Sequence, residues 1–204
     1  MPATWFQSDD FAWLGLASGV RNGRGLIEAL FTPYAQGTVR VVSERLFFVV
    51  FLNMFGLHPT PYRIWTLATW ALLLVLVSLV GARVAGSRVA GTVAALICAA
   101  NTNAVIAVAW SSAYNQILCG VALLAGFYAR LRWTDLEDRG RACGRWRIAE
   151  WCFYMLGFGA LELAVVYPLL AALHAAFVDR KRLRGTLLLA ARRRFRGNPL
   201  FLYT

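Results

Sequence analysis

A chain of 204 residues that is 59% hydrophobic and only 15% charged carries more apolar surface than one core of its size can hide. Its 17 glycines and 6 prolines are too few for a collagen-like repeat, and its mean hydropathy of +0.57 excludes disorder. The net charge of +11 would suit nucleic acid on a soluble surface, but no folded module interleaves basic residues with exposed aromatics, so the reading is an integral, all-α membrane protein.

In chain order, residues 1–61 are the least hydrophobic part and contain frequent turn formers: Asn22-Gly23, Thr32-Pro33, Gln36-Gly37 and Pro59-Thr60-Pro61. They predict short helices joined by loops, with Leu46 to Gly56 apolar but too short to span, as in an interfacial or re-entrant helix. The start MPATWFQSDD has neither the basic region nor the apolar run of a signal peptide. Residues 62–178 predict a transmembrane helix bundle of about five spans. Ile64 to Ala82 is free of Asp, Glu, Lys and Arg and predicts the first. Val89 to Ala129, equally free of charge, is long enough for two, which meet in the polar patch Asn101, Thr102, Asn103, Ser111, Ser112, Asn115 and Gln116. Ile148 to Val178 fits either one steeply tilted helix or two short helices meeting near Glu162. Two short helices agree better with the charge distribution. Residues 179–204 form a basic tail. Trp65, Trp70, Trp110, Trp133, Trp146 and Trp151 read as interfacial anchors near span ends.

The basic residues set an orientation. The 130–150 loop, the 83–88 turn and the tail hold sixteen of the 21 basic residues against five acids. The positive-inside rule makes that face cytoplasmic and leaves residues 1–61 as an extracytoplasmic loop region of short helices.

Few residues carry chemistry. Cys98, Cys119, Cys143 and Cys152 lack CxxC spacing, and His58 and His174 are too few and too far apart for a metal site, so no metal is expected from them. Asp9 and Asp10 precede the apolar patch Phe11-Ala12-Trp13-Leu14. They suit either a solvated helix N-terminus or a carboxylate that binds a metal or takes a proton from an acceptor hydroxyl. Glu162 lies in an apolar string from Gly157 to Pro168 with no neighbour to neutralise it. An ionisable residue in such a segment marks a functional site, or else reaches the interface at a helix end.

Four elements then stand in order: Asp9-Asp10-Phe11-Ala12-Trp13-Leu14, Arg40-Val41-Val42-Ser43-Glu44 leading to Phe55-Gly56-Leu57-His58-Pro59, Trp110-Ser111-Ser112-Ala113-Tyr114-Asn115-Gln116, and Glu162-Leu163-Ala164-Val165-Val166-Tyr167-Pro168. Over about residues 9–178 this order resembles the membrane-embedded GT-C glycosyltransferases, in particular bacterial relatives of the protein O-mannosyltransferases. The chain departs from that pattern in three ways. No helix precedes the acidic pair, no further spans follow the basic tail, and Leu161 stands where the family often has Lys. On this resemblance the chain reads as a probable fragment.

The resemblance implies inverting transfer of a sugar from a polyprenyl-phosphate carrier to an acceptor at the outer face of the cytoplasmic (inner) membrane. It implies Asp9 or Asp10 as catalytic base, and Arg40, Glu44, Asn115 and Glu162 as substrate-binding residues. Arg40 or Arg45 could pair with the donor phosphate, because guanidinium geometry suits phosphate oxygens, and the family pattern favours Arg40. Expected partners are the lipid bilayer and the polyprenyl-phosphate sugar donor, with no nucleic acid. The sequence leaves the cofactor open, a divalent metal included. The competing reading is a non-catalytic membrane component, part of a transporter or an assembly partner, in which residues 101–116 line a path.

Overall fold

The computed structural model describes residues 6–32, 40–101 and 107–177. The turn formers at 33–37, Thr102, Asn103 and the basic tail from Asp179 lie outside them. Every regular element among the described residues is helical. Residues Met1–Ala164 form one compact unit and Val165–Thr204 another.

The first unit opens with two short helices, α1 (Asp10–Ser18) and α2 (Gly23–Phe31). The Asn22 side chain caps α2 by accepting the Gly25 N–H at 2.7 Å. A single π-helical turn, Val41–Leu46, then runs into α3 (Phe47–Phe55). The long helix α4 (Pro59–Ala85) starts with proline in its first turn, where no N–H is needed. It ends at Gly86, whose φ of 65° is the left-handed value that glycine supplies at a helix C-terminus. Ser87 caps α5 (Arg88–Ala99). A 3-10 turn, Ser111–Ala113, leads into α6 (Tyr114–Asp138), and α7 (Gly144–Ala160) follows.

Packing explains several small residues. α4 packs against α5 on one side and α6 on another, and α6 also packs against α7. A Cβ on Gly91 of α5 would lie 2.7 Å from the Ala82 backbone nitrogen and 2.8 Å from the Ala82 Cβ of α4. Close approach through small residues is how helices associate where water supplies no driving force. A second cluster joins the short elements to the long helices: Phe6, Leu14, Phe47, Phe48, Tyr62 and Tyr114 are all buried in it. Phe47 stacks on Tyr114 with ring centroids 4.6 Å apart, and Phe6 meets Tyr62 edge-on at 5.1 Å.

Two segments, Pro59–Ala85 with 27 residues and Ser111–Asp138 with 28, are long and apolar enough to cross a membrane. α5, with 12 residues, spans ~18 Å and α7, with 17, spans ~26 Å, both short of a hydrocarbon core of ~30 Å. Of the about five spans expected, two helices among the described residues are long and apolar enough to cross a membrane. The charge-free stretch from Val89 supplies α5, which ends at Ala99, and most of α6. Large apolar side chains stay exposed along three of these helices, among them Ile64, Val75, Leu96, Ile97, Trp151 and Phe158.

The stretch 148–178 is divided, as the two-helix alternative has it. α7 stops at Ala160, Leu161 is extended (φ −159°, ψ 140°), and a 3-10 turn covers Glu162–Val166. Pro168 lies seven residues beyond the break, in the first turn of the next helix, where its missing N–H costs no helical hydrogen bond. The described part of the second unit holds one helix, α8 (Tyr167–Phe177).

Candidate functional site

The π-helical turn organises the site. Widening the helix by one residue per turn lets three consecutive polar side chains, Ser43, Glu44 and Arg45, all point inward, and each is buried. Ser43 Oγ donates at 2.6 Å to the Ala160 carbonyl, one of the acceptors left unpaired at the end of α7. Arg45 Nη1 donates to the carbonyls of Ala29 (3.0 Å) and Thr32 (2.7 Å), which places its cation at the C-terminus of α2. Glu44 Oε1 accepts from Asn115 Nδ2 at 2.8 Å and from Arg40 Nη1 at 2.6 Å.

Arg40 is the hub. Besides Glu44 it donates through Nε to both oxygens of Glu162, at 3.2 and 3.1 Å. The two partners differ: the Glu44 side chain is 4% exposed and that of Glu162 56%. Burial disfavours the guanidinium charge, but the hydrogen bonds and charges of Glu44 and Glu162 outweigh it and raise the Arg40 pKa above its usual value. Arg40 therefore stays a cation throughout the physiological range.

The acidic pair separates into two roles. Asp10 is fully buried, with Oδ1 accepting from the Ser112 backbone N–H (2.7 Å) and hydroxyl (2.6 Å) and Oδ2 from the Gln7 N–H (3.0 Å). It ties the start of α1 to the turn before α6. Asp9 is exposed, and Ser8 beside it has φ 39°, a left-handed value unusual for a residue with a side chain. Of the two aspartates, Asp9 faces a cavity.

Two cavities meet here. The smaller, about 160 Å³, is lined by Asp9, Trp13, Glu44, Trp110 and Ser112 together with Arg40, Asn115 and Gln116. The larger, about 540 Å³, shares Arg40, Asn115 and Gln116 and continues along Leu123, Leu161, Glu162 and Leu163. Among the residues that line the small cavity, Glu44 Oε2, Asn115 Oδ1 and the indole nitrogens of Trp13 and Trp110 are buried without a hydrogen-bond partner among the described residues. Such groups are expensive unless a ligand or water completes them.

The structure thus brings Arg40, Glu44, Asn115 and Glu162 into one network and places Asp9 in the lining of the small cavity beside it. Asp9 lines the smaller cavity and Glu162 the larger. Asp10 holds the backbone, and Arg45 serves α2, so neither reaches the cavities. Asn115 and Ser112 bring the polar patch beside the N-terminal segment, while Thr102 and Asn103 lie outside the described residues. Trp13, Trp110 and Gln116, which the sequence places in the motifs without a site role, also line the small cavity. Trp13 follows Asp9 by four residues, a helical spacing that puts both on one face. Among the described residues no three His, Cys, Asp or Glu side chains converge as a metal-ligand group, so Asp9 and Glu44 are the two carboxylates available to a cation here. Comparisons with family models, curated proteins and solved structures find no match for the chain.

Proposed function

We propose that the chain is a membrane-embedded glycosyltransferase of the GT-C type, acting on a polyprenyl-phosphate-linked sugar at the outer face of the cytoplasmic membrane. In this reading α4 and α6 cross the bilayer, the shorter helices complete a polytopic bundle, and residues 1–61 lie outside. One observation carries it: a small polar cavity and a larger, partly leucine-lined one meet at the Arg40 guanidinium. A lipid-linked sugar has that sequence of chemistry, a polyhydroxylated ring, a phosphate and a hydrocarbon chain.

Asp9 would accept the proton of the acceptor hydroxyl. The oxygen would attack the anomeric carbon as its bond to the phosphate oxygen breaks, inverting the centre. Arg40 would balance the charge left on the polyprenyl phosphate. Glu44, itself held by Asn115, would orient Arg40. The test is transfer from polyprenyl-phosphate sugars in membranes holding the full-length gene product. Asp9→Asn should lose transfer about 100-fold or more while staying folded. Full transfer by that variant would remove the assignment.

A second reading, a non-catalytic membrane component, draws on the same hub. Arg40 is already balanced by two carboxylates, as in an ion cluster that only holds elements together. Under it, no donor would be consumed and Asp9 would be expendable.

A further inference from the structure

Toward the far end of α6, with Arg132 about 17 residues or ~26 Å along the helix from Asn115, the chain gathers a second set of side chains with no part in the proposed transfer. Five arginines lie over aromatic rings there. Arg83 sits 5.0 Å from the Tyr128 centroid, Arg130 and Arg147 sit 5.5 and 4.8 Å from that of Trp133, and Arg132 and Arg145 sit 5.5 and 5.8 Å from that of Trp146. Three of the five also meet a carboxylate: Arg83 with Asp135 at 2.7 Å, Arg130 with Glu150 at 3.2 Å, and Arg147 with Glu137.

Arg132 and Arg145 are different. Both lean on the same indole, and neither has an ion-pair partner among the described residues. The Trp146 indole N–H and Arg132 Nε are buried with no acceptor. Two cations beside one ring leave positive charge that no ion pair offsets and the ring relieves only in part. An anion with several oxygens would balance it.

Position decides which anion. α6 and the end of α4 that carries Arg83 belong to the two segments long enough to span, so this end lies at headgroup depth in the membrane reading, with Trp133 and Trp146 as interfacial rings. The excess of arginine marks it as the cytoplasmic side, where the leaflet is anionic and basic pockets between helices bind lipid headgroups. We propose that Arg132, Arg145 and Trp146 form a binding site for the phosphodiester headgroup of an anionic phospholipid. The site depends on the membrane reading but not on glycosyl transfer, and either can fail alone.

The alternative is that these arginines act only through bulk charge. Native mass spectrometry of the full chain, titrated with phosphatidylglycerol or with phosphatidylcholine of the same acyl chains, separates the two. The chain should retain phosphatidylglycerol preferentially. R132Q/R145Q should lose that preference by on the order of tenfold, whereas R139Q/R141Q, with the same change in charge in the same loop, should keep it. Should the double variant not fold, the exposed Arg145 alone, as R145Q, decides the same comparison. Equal loss in both double variants, no preference in the parent chain, or displacement of the lipid by excess inorganic phosphate would each overturn the proposal.

Discussion

Replacing Asp10 tests the division of labour between the two adjacent aspartates. Its buried carboxylate accepts three hydrogen bonds, two from Ser112 and one from the Gln7 N–H. Asparagine keeps one acceptor oxygen and turns an amide NH₂ toward a donor, so at least one of the three is lost and replaced by opposed donors. Bonds to a charged acceptor contribute ~1.5–3 kcal/mol each, and a buried unpaired donor costs ~1–3 kcal/mol. Asp10→Asn should therefore destabilise by about 2–3 kcal/mol, and Asp10→Ala, which strands all three donors, by about 3–5 kcal/mol. For a chain of this length ~1 kcal/mol corresponds to ~2–4 °C, which puts Asp10→Asn roughly 4–12 °C below the parent. Asp9→Asn, at an exposed position, should stay within about 0.5 kcal/mol. The assay is the fraction remaining monodisperse in detergent after heating, read by size exclusion. An Asp10→Asn chain that melts with the parent, or an Asp9→Asn chain that melts as early as Asp10→Asn, would refute this assignment.

The two partners of Arg40 should separate in the same assay. Glu44→Ala, which strands Arg40 Nη1 and Asn115 Nδ2 in a buried setting, should destabilise by about 2–4 kcal/mol, whereas Glu162→Ala, at the half-exposed partner, should stay within ~1 kcal/mol. Gly91→Leu should drive α5 off α4 and lower the melting temperature by several degrees, and a parent-like melt would contradict the close contact at Ala82. For topology, single cysteines at 36 and 138 in a cysteine-free background should differ. Position 36 should label in intact cells and position 138 only after permeabilisation, and labelling of 138 from outside would reverse the orientation.

Much of the helical framework is legible in the residues themselves. Long charge-free apolar runs favour helices with apolar faces, and every regular element among the described residues is helical. Pro59 and Gly86 punctuate it through a missing N–H and a left-handed φ, which act regardless of what packs nearby. Segment lengths are less legible. The charge-free run from Val89 to Ala129 reads as two spans, yet α5 ends after 12 residues, since the absence of charge does not dictate where a helix stops.

At the candidate site the order of motifs singled out Arg40, Glu44, Asn115 and Glu162, but their pairing is a tertiary result: 71 positions separate Asn115 from Glu44 and 122 separate Arg40 from Glu162. Asp9 and Asp10 are the same residue type at neighbouring positions, and no local rule ranks them. α1 turns one toward Ser112 and leaves the other at the cavity. Arg40 and Arg45 divide in the same way, because the π-helical turn sends Arg45 to the carbonyls of α2 while Arg40 stays between the two cavities. Residue type and spacing determined which side chains could do chemistry. Which of them are free to do it depends on what each one packs against, and only the tertiary structure decides that.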